Sequence, residues 1–170
     1  DFAKLRIPRP HYRQQLRSNP LLRWERHTHA HGYAPLNCGW VATWDGWTFY
    51  ANDAEVMEIR GSFHCSYHGG TNWQQFTSAD LHAVVGAMSD ALGLFAGELR
   101  IVNLEIGVNF RLPMDAREIM ARMLFHGTRL PEPMEGTDHG IVFRPPGRYR
   151  LKAYDKGHQY PEAGDLLRFE

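Results

Sequence analysis

The dipeptide Asp45-Gly46 stands between CGWVATW and WTFYAN, two apolar-rich runs whose residues alternate in character. Asp followed by Gly tolerates the positive φ angles of a tight two-residue turn, so the pair reads as the corner of a β-hairpin. EVMEIRGSFHCSY carries the alternation into a third expected strand. A chain that begins its ordered part this way is committed to an antiparallel sheet, which then needs other elements to cover its apolar face.

Those elements are written next. Thr77 and Ser78 offer an N-cap with Asp80 in the first turn, and Leu81, Val84, Val85, Met88, Leu92 and Phe95 recur at helical spacing. This predicts a helix over about 79–96 ending near Gly97. ELRIVNLEIGVNF reads as a strand with Leu104, Ile106, Val108 and Phe110 toward a core. Pro113 and Asp115 open a second helix with Ile119, Met120, Met123 and Leu124 inward, ending at Gly127. Residues 128–140 read as a loop, GIVFRP and YRLKAYDK as a hairpin around Pro145-Pro146-Gly147, and LLRFE as a last strand. The expected class is α+β, a largely antiparallel central sheet with helices on one face.

A length of 170 residues suits one domain with a sizeable core. Residues 1–34 are basic and hold Pro8, Pro10 and Pro20, so they are expected to form an irregular or partly helical arm before a domain over 35–170. The chain opens without Met and stops inside a strand-like run, as a fragment of a longer protein would. No run reaches the ~18 apolar residues of a membrane span. Cys38 and Cys65 form no C-x-x-C pair, which suits a reducing, cytoplasmic setting and no zinc ribbon.

Net charge is zero, so no global field draws a polyanion. The distribution is uneven. Lys4, Arg6, Arg9, Arg13, Arg17, Arg23 and Arg26 crowd the first 31 residues, and Arg144, Arg148, Arg150, Lys152 and Lys156 crowd 144–156. Each cluster fits either a local phosphate-binding surface or a solvated basic face.

Four stretches could carry chemistry. In LEIGVNF, Glu105, Gly107 and Asn109 share a strand face, which suits either solvent or a hard cation such as Mg²⁺ or Mn²⁺. In EIRGSFHCSYHGGTN, His64, Ser66 and His68 would share a face, as transition-metal ligands or as structural histidines. His27, His29 and His31 in HTHAH look most metal-like by spacing, but Thr28 and Ala30 are poor buried neighbours and an exposed arm fits as well. In RYRLKAYDKGHQY, Arg148, Arg150, Lys152 and Tyr154 share one face, with Lys156 in line. A phenol near pKa 10 is a poor nucleophile alone, and neighbouring cations favour its phenolate. A surface tyrosine remains the plain alternative. Trp40, Trp44, Trp47 and Trp73 are candidates for base stacking or for the core.

Taken together, EIRGS, the glycine turn with Asn72, NLEIGVNF, LKAYDKGHQY and LLRFE resemble, in order and spacing, the filamentous-phage gene II rolling-circle replication initiators and their phage and plasmid relatives. The resemblance covers about residues 55–170 and implies an HUH-endonuclease-like core. It implies Tyr154 as the nicking tyrosine, Lys156 as its electrostatic partner, and Glu105 as a ligand of Mg²⁺ or Mn²⁺, with Glu170 and a histidine, His64 or His68, as candidates for further ligands. Asn72, Arg148, Arg150 and Lys152 would contact DNA. Two positions depart from the family pattern, Thr71 in place of a histidine and Gln159 in place of an acid.

The resulting expectation is a site-specific single-strand DNA endonuclease that starts rolling-circle replication through a 5′-phosphotyrosine. Its partners would be single-stranded or melted origin DNA and a host helicase or polymerase, with no membrane. A non-catalytic DNA-binding domain on the same scaffold is the alternative, and a His-cluster metalloprotein is a third reading.

Overall fold

The computed structural model describes residues 2–28, 34–35, 37–124, 126–135, 139–147 and 149–170. The chain divides into two compact units, residues 1–105 and 106–170. Each carries its own antiparallel sheet, in place of the single central sheet expected, and the architecture is mixed α and β.

Unit 1 holds β1 (Ala3–Arg6), α1 (Pro10–Arg17), β2 (Glu25–Arg26), β3 (Trp40–Trp44), β4 (Trp47–Ala51), β5 (Val56–Gly61), α2 (Phe63–Tyr67), α3 (Ser78–Leu92) and β6 (Arg100–Leu104). The sheet order is β2-β3-β4-β5-β1-β6. The β3–β4 hairpin turns at Asp45 and Gly46, both at positive φ, as the dipeptide predicts. Residues 1–34, read as an arm, contribute β1 to the sheet interior and α1 to the core. Ala3, Leu5 and Leu16 are fully buried with Trp47, Phe49, Ile59, Met88 and Leu92. In β4, Trp47, Phe49 and Ala51 alternate onto this face, where α1 and α3 supply the cover. Glu58 lies buried on β5 and is held by Lys4 at 3.0 Å, by Arg6 at 3.7 Å and by Arg60.

Two expected boundaries move. Strand β5 stops at Gly61, because Ser62 caps α2 by accepting from the Cys65 N–H. His64 therefore sits on a short helix rather than a strand. Helix α3 carries the expected Thr77–Asp80 capping box and ends at Gly93, whose φ of 67° stops it before Gly97. Phe95 thus lies beyond the helix and is exposed, as is Leu81.

Unit 2 holds β7 (Val108–Arg111), α4 (Ala116–Met120), β8 (Glu132–Pro133), β9 (Gly140–Phe143), β10 (Leu151–Asp155), α5 (Lys156–Gln159) and β11 (Leu166–Phe169), in sheet order β7-β11-β10-β9-β8. Helix α4 buries Ala116 and Met120 against Ala153 and Leu167. It is shorter than expected, and Leu124 is exposed. The loop expected over 128–140 contains the short strand β8.

The run ELRIVNLEIGVNF is not one strand. It breaks at Glu105–Gly107 into β6, on the edge of one sheet, and β7, on the edge of the other. Leu104, Ile106, Val108 and Phe110 are all exposed rather than facing a core. Alternation reports a strand's period, not what covers it. Among the described residues no helix is long and apolar enough to cross a membrane.

Candidate active site

The second unit carries a dense cluster of charged and hydrogen-bonding side chains. On β10, Ala153 turns toward α4 while Lys152 and Tyr154 take the opposite face. Register sets what meets them. Tyr154 pairs with Arg168 on β11, and Arg168 pairs with Asn109 on β7, so one polar row crosses three strands. Arg168 is 0% exposed, an extreme position for a guanidinium. Its Nε donates to Glu170 Oε1 at 2.7 Å and its Nη1 donates to Asn109 Oδ1 at 3.0 Å. A Cβ at Gly107 would overlap this guanidinium, so glycine is what lets the backbone pass beside it.

Glu170 gathers the row. Its Oε1 also accepts from the Tyr154 hydroxyl at 2.8 Å, and Lys152 Nζ lies 3.4 Å from Oε2. Burial pushes the Glu170 carboxyl up, but positive charge and the Tyr154 and Arg168 donors outweigh it and hold the carboxyl low, at about 2. Glu170 is therefore an anion at neutral pH that orients the phenol by accepting its hydrogen. So low a pKa makes it a poor proton acceptor.

Lys156 behaves differently from the outward lysine expected on a continued strand. The chain turns into α5 at Lys156, where Asp155 caps the helix by accepting from the His158 N–H. Lys156 is 1% exposed. Its Nζ donates to Gln159 Oε1 at 2.7 Å and lies 5.4 Å from the Tyr154 ring centre and 4.8 Å from that of Tyr160. Gln159, one of the two departures from the family pattern, thus serves as a neutral partner for a buried cation. A Cβ at Gly157 would overlap the Gly164 carbonyl, which fixes the fold of this turn.

Tyr154, Lys152, Arg150, Arg144, Glu170 and Gln159 line an open cleft of about 710 Å³, together with His139, His158 and Asp155. The His139 and His158 rings lie tilted by 31° with centres 3.5 Å apart. Sequence reading missed both histidines. They are separated along the chain, and no local spacing joins them; only the register that sets β9 beside β10 does.

The remaining expected residues lie in unit 1. His64 is 5% exposed, stacked on Phe76 at 4.8 Å and tilted against His68 at 4.9 Å. Asn72 follows Gly69 and Gly70, both at positive φ, as a glycine turn requires. Glu105 donates its backbone N–H to Phe2 at 2.7 Å. Ala3 pairs with Gly61 on one side and Leu104 on the other, so the segments bearing His64 and Glu105 leave the sheet at the same end. His29, His31 and Arg148 lie outside the described residues. Among the described residues no group of three or more His, Cys, Asp or Glu side chains is placed to hold a metal ion.

The structure thus brings Tyr154, Lys152, Arg150, Lys156 and Glu170 together in unit 2. His64, Asn72 and Glu105 belong to the other unit. Comparison of the chain with family models, with curated proteins and with solved structures gave no match.

Proposed function

We propose that this chain is a tyrosine DNA nickase of the rolling-circle initiator type, on an HUH-like core, cytoplasmic and acting on single-stranded or melted DNA. The observation that carries the reading is the Tyr154 hydroxyl. It lies in an open cleft that Lys152 and Arg150 also line, hydrogen-bonded to Glu170, with the buried Lys156 Nζ 5.4 Å from its ring centre. Cations on a cleft wall suit a phosphodiester, and cations beside a phenol favour its attacking form.

The step balances without further reactants. The Tyr154 oxygen attacks phosphorus, the bond from phosphorus to the 3′ oxygen breaks, and the enzyme keeps a 5′-phosphotyrosine. The phenolic proton ends on the released 3′ hydroxyl. Glu170 orients the phenol through its hydrogen bond. Lys152 and Arg150 face the phosphate, and Lys156 stabilises negative charge from behind the ring. The cation implied by the resemblance, Mg²⁺ or Mn²⁺, is part of the proposal as a requirement to be assayed. Glu105, His64 and Glu170 do not form a three-ligand group among the described residues, and no step is assigned to the metal.

The test is a labelled pool of single-stranded oligonucleotides with Mg²⁺ or Mn²⁺, read as a covalent adduct on a denaturing gel. An adduct lost in Tyr154→Phe supports the reading. Binding without any adduct favours the non-catalytic DNA-binding alternative, for which the Gln159 and Thr71 departures speak.

A further inference from the structure

The basic residues of the first 31 positions separate into two groups once their partners are known. Lys4 and Arg6 converge on Glu58, Arg9 pairs with Glu98 at 3.1 Å, and Arg13 with Glu55 at 3.3 Å. Arg17, Arg23 and Arg26 form no ion pair among the described residues.

Two of these three lie over tryptophan rings. The Arg17 guanidinium lies 4.6 Å from the Trp24 ring centre and 5.1 Å from that of Trp40. Arg26 lies 4.2 Å from the Trp40 ring. The result is an alternating ladder, Trp24–Arg17–Trp40–Arg26, of two indoles and two guanidiniums. The elements fix it in place. Arg26 and Trp40 are direct cross-strand partners on β2 and β3, at the edge of the sheet. Arg17 is tied to the Asn52 carbonyl at 3.2 Å, and Asp53 accepts from the Trp40 indole N–H at 2.6 Å. Asp53 holds the edge of Trp40 and leaves its faces to the arginines. The outermost rung, Arg26, is exposed, and so is Arg23.

A guanidinium plane with one face on an indole presents its other face to a further flat π system, while its N–H edge reaches an oxyanion. Unpaired bases with their phosphates offer both at regular spacing; an acidic peptide offers only the charge. We propose that the Trp24–Arg17–Trp40–Arg26 ladder, with Arg23, is a contact surface for single-stranded nucleic acid. It belongs to unit 1, whereas the Tyr154 cleft belongs to unit 2, and the proposal does not depend on the nickase reading.

The test is binding of the full chain to a fluorescein-labelled oligo(dT) of about 20 nucleotides, enough to span one such site. It is run in EDTA so that cleavage plays no part. Binding is expected to quench the tryptophan fluorescence. Reversal of two phosphate-facing charges in Arg23→Glu/Arg26→Glu is expected to weaken affinity by about tenfold or more at low salt. Arg26→Lys keeps the charge, loses the plane, and is expected to fall between. Both variants change exposed side chains, and unchanged circular dichroism confirms folding. Equal affinity in the charge-reversed protein overturns the proposal. So does equal competition by an oligo-glutamate of matched charge, which would make the surface a site for acidic chains. A ladder-dependent affinity without any Tyr154 adduct sinks the nickase alone; an adduct with ladder-independent affinity sinks the ladder alone.

Discussion

Glu170 takes hydrogen bonds from Tyr154 and Arg168 and an ion pair from Lys152. Removing its charge in Glu170→Gln takes an ion-pair partner from the fully buried Arg168, a change expected to cost about 3 kcal/mol. Urea unfolding with an unchanged slope checks this. The Glu170 carboxyl lies below its ordinary 4.5, at about 2. A depressed carboxyl stabilises the fold above its unfolded-state value and loses that contribution as pH falls through its folded value. Thermal melts should therefore drop between pH 4.5 and 2, and Glu170→Gln should flatten that part of the curve. At Gly107, alanine would overlap the Arg168 guanidinium, with an expected loss of about 1–3 kcal/mol, read in the same unfolding experiment. Local sequence holds part of this. Alternation along LKAYD puts Lys152 and Tyr154 on one face, as observed. It does not hold the pairing of Tyr154 with Arg168, which depends on strand register, or the burial of Lys156, which depends on α5 starting where the strand was expected to continue.

At the scale of elements, local signals located starts and stops well where a side chain closes the backbone's own hydrogen bonds. Thr77 and Asp80 form a reciprocal capping box on α3, legible from residue type alone. Thr77→Ala removes the side-chain acceptor for the Asp80 N–H and should cost about 1 kcal/mol in chemical denaturation. The same logic failed to end the helix at the right glycine, because Gly93 and Gly97 both fit the pattern and only the backbone's left-handed turn distinguishes Gly93. The run from Leu104 to Phe110 taught a different lesson. Its alternation fits a half-buried strand, yet the chain breaks at Glu105–Gly107, and each half lies on a sheet edge with its apolar side chains exposed. Which strand gains a cover is decided by residues far along the chain.

For the whole molecule, zero net charge conceals the distribution that matters. Much of the basic N-terminal segment is neutralised by Glu58, Glu98 and Glu55, while Arg150 and Lys152 line the cleft of unit 2. Binding to single-stranded DNA should accordingly be salt-sensitive, with a slope set by the few phosphates contacted rather than by total charge, as a titration from 50 to about 200 mM salt would show. The division into two units was not legible. Composition does not shift at Glu105, and each sheet became recognisable only through its pairing. The central claim is that Tyr154 attacks a DNA phosphate. It is met most directly by trapping the adduct with labelled single-stranded DNA and mapping the modified residue by peptide mass spectrometry. The account predicts a DNA-linked peptide at Tyr154 that disappears in Tyr154→Phe. A linkage at Tyr149 or Tyr160, or an adduct that survives the substitution, would contradict it.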